Sequence, residues 1–244
     1  MVAQDMHFDA YTWRARVLPV FLLLLPIGVL LTVWFPGFNS LTRLIAGVTA
    51  PFGIAMLFSQ IGRDRGSARQ PALWASWGGS PTVQLLRHRN ELSNPVIRQE
   101  YHRKLGLLCP QISIPTVDEE LKDEGSADQI YEAAVRWLIG RSRDRKRFPL
   151  VFKENVSYGF RRNLWGLKPF GIGLAALGVI GCGLRLWVVW GTSDFRKGEF
   201  LIGSVVTLAW LMLWVTWITR AWVRVAAEAY AERLLESCDD LLSN

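Results

Sequence analysis

The chain has 244 residues, half of them hydrophobic, with 12 tryptophans and a formal net charge of +7. That composition places it among membrane proteins carrying one soluble domain. Cys109, Cys182 and Cys238 fall in three different segments, which excludes a disulfide framework and fits a reducing compartment, and His7, His88 and His102 lack zinc-type spacing.

Residues 1–16 form a short polar arm. Val17 to Phe35 follows as 19 residues without a charge. It is too long for a signal peptide and ends in Val33-Trp34-Phe35-Pro36 rather than a small-residue cleavage site. Pro19 and Pro26 predict a kink in this first helix. Pro36 to Ser40 reads as a turn, and Leu44 to Ile61 is a second uncharged run of 18 residues. Its Gly47, Ala50, Pro51 and Gly53 suit close helix packing.

Residues 62–168 show helical signals and no strand alternation. Ser80-Pro81 predicts a helix start with a run to about Arg89, and Asn94-Pro95 predicts another, stopped by Gly106. Thr116 caps a brief acidic turn, Val117 to Lys122. Ser126-Ala-Asp-Gln129 reads as a capping box opening a longer helix with Ile130, Ala134, Trp137 and Leu138 on its apolar face. Phe148-Pro149 breaks it, and Val151 to Leu164 leads back toward the membrane.

Pro169 to Thr192 is 24 residues with one charge, Arg185, and Phe200 to Thr219 is 20 residues with none. Runs of this length match a hydrocarbon layer about 30 Å thick. The expected fold is therefore an all-α membrane protein. Two transmembrane hairpins, residues 17–61 and 169–219, give four spanning helices that flank a basic helical domain over 62–168. The tail over 220–244 is an amphipathic extension of the fourth helix. Its Val223, Ala226, Ala227, Tyr230, Leu234, Cys238 and Leu241 share one face, which suits either packing on the central domain or an oligomer seam.

Of 28 Lys and Arg residues, residues 62–168 hold 19, the N-terminal arm two and the tail three, against one and two in the hairpin loops. The positive-inside rule then makes the central domain and both termini cytoplasmic.

Four constellations could carry function. The first is basic: Arg141, Arg143, Arg145, Lys146, Arg147, Lys153, Arg161 and Arg162 face only Asp144 and Glu154 within 141–162. Such density attracts anionic lipid, a nucleotide or nucleic acid. The second is Trp77-Gly78-Gly79-Ser80-Pro81-Thr82 followed by Arg87 and Arg89, a glycine turn ahead of a helix start where phosphate could dock, although the P-loop lysine is missing. The third is Arg185, on one face with Gly171, Ala175, Gly178 and Cys182. It suits attraction of permeating anions, pairing with Asp194 or Glu199, or simple snorkelling to the helix end. The fourth is the stripe Gly203, Thr207, Trp210, Trp214 and Trp217, suited to a pore lining or to packing within the bundle. The membrane runs hold no Asp, Glu or His, and no nucleophile–base pair or metal set is visible. The expectation is a non-enzyme without cofactor.

Two stretches, Trp77 to Thr82 with Leu85-Leu86-Arg87-His88-Arg89, and Tyr158 to Pro169, resemble a pattern in bacterial four-span membrane proteins. Across residues 70–175 the chain is similar to the membrane effector of the Hailong anti-phage system. In that system a nucleotidyltransferase makes DNA oligomers that hold a membrane effector inactive. The resemblance implies an oligomeric membrane effector or ion channel gated by single-stranded DNA at its cytoplasmic face, with the basic cluster as the contact. The alternative is a membrane scaffold whose basic domain binds anionic lipid without forming a pore.

Overall fold

The computed structural model describes residues 12–35, 41–91 and 93–243, with residue 12 and residues 41–56 described by their backbone alone. Every element among these is helical: a π-helical turn, Thr12–Val17, then α1 (Leu18–Trp34), α2 (Leu41–Ser76), α3 (Pro81–Leu86), α4 (Pro95–Leu108), α5 (Val117–Lys122), α6 (Glu124–Arg141), α7 (Pro149–Val189), α8 (Lys197–Thr216) and α9 (Arg220–Leu242). Three stretches are long and apolar enough to cross a bilayer: Trp13–Trp34, Pro149–Val189 and Lys197–Thr216. The expected arm over residues 1–11, the turn over 36–40 and the side chains of 44–56 in the remaining apolar run lie outside the described residues.

The chain divides into two compact units. The first, the membrane unit, takes its described residues from Met1–Arg69 and Gly159–Val223; the second unit takes them from Gln70–Tyr158 and Arg224–Asn244. The division differs from the boundaries expected at 62, 168 and 220. Residues 62–69 and 159–168 continue α2 and α7 past the apolar runs because these segments pack on each other. A Cβ on Gly166 would lie 2.8 Å from Gly66 N, and one on Gly66 would lie 2.8 Å from Asn163 Oδ1. Two helices approach this closely only where side chains are missing.

Glycine shapes the rest of the membrane unit in the same way. Gly171 lies under the Trp214 ring, which a Cβ would meet at 2.3 Å. Gly178 faces Thr207 and Pro26, Gly181 faces Leu30, and Gly203 faces Val33. Asn163 is buried and donates from Nδ2 to Ala15 O at 2.8 Å, and Trp210 donates from Nε1 to Leu22 O at 2.9 Å. α9 does not simply prolong α8. The helix ends at Thr216, and Lys168 Nζ donates to the carbonyls of Val215 (3.0 Å) and Ile218 (2.8 Å) at the break. A cation at a helix C-terminus satisfies carbonyls left without intrahelical partners.

The second unit is built around Leu86, Leu105, Tyr131, Ala134, Leu138, Phe148, Leu234, Leu235 and Cys238. On the apolar face of α9, Leu234 and Cys238 are buried in this core, with Tyr230 and Leu241 packed against it. α6 begins earlier than expected. Asp123 is its N-cap, accepting Ser126 N at 2.9 Å, so Ser126 lies inside the helix. Its buried face is Ala127, Tyr131, Ala134, Val135 and Leu138, with Ile130 and Trp137 half-buried at the margin. α3 ends at Leu86 rather than near Arg89, and α4 runs through Gly106 to Leu108.

Candidate anion-binding sites

The basic loop is made by two helix ends. α6 stops at Arg141, where Ser142 turns its hydroxyl back to Leu138 O at 2.9 Å, and α7 restarts with Pro149 at its first position. Arg141, Arg143, Arg145, Lys146 and Arg147 are all exposed on this short connection. Its one acid is turned inward on the backbone: Asp144 accepts the N–H groups of Lys146 (2.9 Å) and Arg147 (3.4 Å). Three guanidinium groups lie near aromatic rings, Arg141 at 5.4 Å from the Trp137 centroid, Arg145 at 4.7 Å from Phe152 and Arg147 at 5.2 Å from Phe148. Arg147 also donates to Asp240 O at 2.6 Å. Such ring contacts restrict long side chains. Arg141, Arg143 and Lys146 make no ion pair among the described residues.

Arg87 and Arg89 do not join that loop. Arg87 bonds Asp128 through Nε (2.8 Å) and Nη2 (2.7 Å) and donates to Gly78 O. Arg89 bonds Glu120 (2.8 Å) and Asp128 (2.9 Å) and lies 3.3 Å from Glu124. Gly78 (φ +86°) and Gly79 (φ +133°) adopt conformations that favour glycine, and a Cβ on Gly79 would lie 2.7 Å from Arg87 Nη2. The Gly-Gly turn therefore serves the protein's own arginine. Ser80 makes no side-chain cap bond, and the helix it precedes is only six residues long. Arg87 and Arg89, expected as anion contacts, are thus already paired with carboxylates of this chain.

The centre of this network, Glu120, escaped sequence reasoning. It is 1% exposed and accepts from His88 N (2.8 Å), Arg89 N (3.1 Å) and the Tyr131 hydroxyl (2.7 Å) as well as from the Arg89 guanidinium. Burial pushes its pKa up, but these bonds outweigh burial and hold it down at about 2. His102 stacks on Tyr131, contacts His88 edge-on at 4.7 Å between ring centroids, and hydrogen-bonds Leu86 O through Nε2 at 2.7 Å. Burial lowers its pKa to about 4.

Of the remaining basic candidates, Lys153 lies in the second unit and Arg161 and Arg162 in the membrane unit. Arg161 donates to Trp222 O at 2.9 Å with its Cζ 4.9 Å from the Trp222 ring, and Arg162 donates to Asn163 Oδ1 at 3.4 Å. Thr207 and Trp214, two of the pore candidates, are 0% and 1% exposed and pack on Gly178 and Gly171 within one chain. Trp210 is half-buried on the Leu22 carbonyl, and Trp217 is 66% exposed. Arg185 has neither of the acids expected for it. Glu199 pairs with Arg196 at 2.8 Å, and Asp194 accepts the Arg196 backbone N–H at 2.8 Å. No protein family, curated protein or solved structure matches the chain.

Proposed function

We propose that the chain is a four-span, oligomeric effector or channel of a bacterial inner membrane, with cytoplasmic termini, controlled by a polyanion on its second unit. Single-stranded DNA or a nucleotide is the ligand class in this reading. The observation that carries it is the loop after α6, where five exposed cations crowd a short connection whose only carboxylate is committed to backbone N–H groups. Single-stranded nucleic acid presents phosphates at a spacing that such a row of guanidinium edges suits. The chain passes from this loop straight into α7, whose later residues form a candidate span. A ligand that binds two states of the protein unequally could bias membrane-helix packing through that helix. Because Thr207 and Trp214 are filled within one chain, a conducting path in this reading lies between copies.

The test is fluorescence anisotropy with a labelled oligodeoxynucleotide on the detergent-purified full chain. Arg143→Glu with Lys146→Glu touches two residues without an ion pair among the described residues. Losing two phosphate contacts should reduce the log–log salt slope by about 1.4 and weaken binding roughly tenfold. Unchanged affinity and slope remove the loop as the site. Binding to anionic liposomes with no preference for the oligonucleotide favours the pore-free scaffold.

A further inference from the structure

Arg185 is the one charged residue within Pro169–Val189, the apolar part of α7, and its surroundings are unusual. Its Nε is buried without a hydrogen-bond partner, and no hydrogen bond or ion pair forms anywhere on its guanidinium among the described residues. Two rings border it instead: Cζ lies 5.7 Å from the Trp34 centroid and 5.4 Å from the Phe200 centroid. Both rings are fixed. Trp34 donates from Nε1 to Gly181 O at 3.2 Å, and Phe200 is fully buried. The rings satisfy the guanidinium faces and leave its N–H edge with nothing to bond.

A second cation sharpens the contrast. Arg196 lies 5.1 Å from the same Phe200 ring, but its charge is met by Glu199 and its Nη2 donates to Thr32 O at 3.2 Å. Two arginines thus share one ring and only one has a counterion. An uncompensated charge away from water costs several kcal/mol unless an anion comes to it.

Depth identifies that anion. Arg185 precedes the end of α7 at Val189 by about one turn, roughly 6 Å at the helical rise. Beyond it stand Trp187, Trp190 and Phe195, 77%, 66% and 92% exposed, a cluster of rings of the kind that settles at the membrane–water interface. The exposed aromatic end of the helix and the free guanidinium edge therefore fall where phospholipid phosphates lie. A planar fork of N–H donors matches two oxygens of such a phosphate.

We propose that Arg185 is a lipid-binding residue, seating the phosphodiester of an anionic phospholipid against the Trp34–Phe200 pair. This rests on the membrane-spanning reading of α1, α7 and α8 and is independent of any ligand at the basic loop. The probe is phosphatidylglycerol, titrated onto delipidated, detergent-purified full chain and read by native mass spectrometry as lipid-bound fraction. Wild type should take up one tight phosphatidylglycerol per chain. Arg185→Gln should weaken that event about tenfold, and Arg185→Lys, which keeps the charge without the fork, should fall between. Diacylglycerol, which lacks the phosphate, should bind wild type no better than Arg185→Gln binds phosphatidylglycerol. Inorganic phosphate at matched concentration should fail to displace the lipid. Wild-type affinity in both variants, equal binding of diacylglycerol, or displacement by inorganic phosphate would each overturn the assignment, the last by giving the site to a free anion. If Arg185→Gln does not purify as a folded chain, the Arg185→Lys comparison and the two ligand controls on wild type decide the question. Loss of lipid binding in the Arg143→Glu, Lys146→Glu chain with Arg185 intact also overturns it, because that result places the lipid at the loop.

Discussion

The Tyr131 hydroxyl donates to Glu120 Oε2 at 2.7 Å inside the core of the second unit. Around this bond Glu120 collects two backbone N–H groups and a guanidinium, so that α3 and the turn after it are fastened to α5 and α6 by one carboxylate. Removing it would leave Arg89 and two N–H groups short of an acceptor. Glu120→Ala is expected to lower stability by about 3 kcal/mol, and Tyr131→Phe by about 1 kcal/mol. The folded pKa of about 2 lies below the ordinary 4.5, so Glu120 stabilises the fold above pH 4.5 and loses that contribution as pH falls toward 2. Thermal melts of the detergent-purified chain across this range check it. Glu120→Gln should melt lower at neutral pH and show a shallower acid limb.

His102 governs a higher window. Its folded pKa of about 4 lies below the ordinary 6.5 because burial opposes the charged ring, with the Leu86 carbonyl bond opposing that shift in part. Between these values the unfolded chain takes up a proton that the folded one refuses. Stability should therefore be full above pH 6.5, fall as pH drops to 4, and then level off for this group. Titration of His102 by NMR, or melts of His102→Gln against wild type between pH 6.5 and 4, read the effect. A variant whose acid dependence in this window equals that of wild type would show that His102 titrates normally.

Much of this architecture is legible in the chain. The apolar runs that become α1, α7 and α8 announce themselves by length, and Asn94-Pro95 caps as expected, with Asn94 Oδ1 accepting Val96 N at 2.9 Å. Thr116 and Glu119 form a reciprocal capping box at the head of α5. The start of α6 is ambiguous from sequence because two caps overlap, Asp123 to Ser126 and Ser126 to Gln129. The structure uses the carboxylate, the stronger acceptor for a helix N-terminal N–H. Glu120 is hidden for a different reason. It lies in a run of acids that reads as a solvated face, and only the tertiary positions of Arg89 and Tyr131 turn it inward. The Gly62-x-x-x-Gly66 spacing was visible but was masked by the charged residues between the glycines, which made that segment look like the start of the soluble domain.

Lys168 offers a test of the break between α8 and α9. Its Nζ bonds two carbonyls there, those of Val215 and Ile218. Lys168→Met keeps the stem and removes the donor, and should cost about 1 kcal/mol. Lys168→Arg, which can still donate, should recover most of it. Melting temperatures of the three chains in one detergent decide, and equal values for Met and wild type would show that solvent caps the break equally well.

The glycines of the membrane unit make opposite predictions at neighbouring positions of one helix. A methyl group on Gly166 would press on the backbone of Gly66 at 2.8 Å, and one on Gly171 would enter the Trp214 ring at 2.3 Å, whereas Gly173 has nothing within 4 Å. The backbone at the first site cannot step aside without parting α2 from α7, and the buried ring at the second has no free volume to occupy. Gly166→Ala and Gly171→Ala should each lower stability by about 1–3 kcal/mol through overpacking. Gly173→Ala should be neutral or slightly stabilising, because alanine restricts the unfolded chain and favours helix at a site that can hold it. Melts of the three variants side by side, in one detergent, separate packing from helix propensity. If all three shift alike, glycine acts here through backbone entropy and the close approach of the helices is not what these residues were selected to allow.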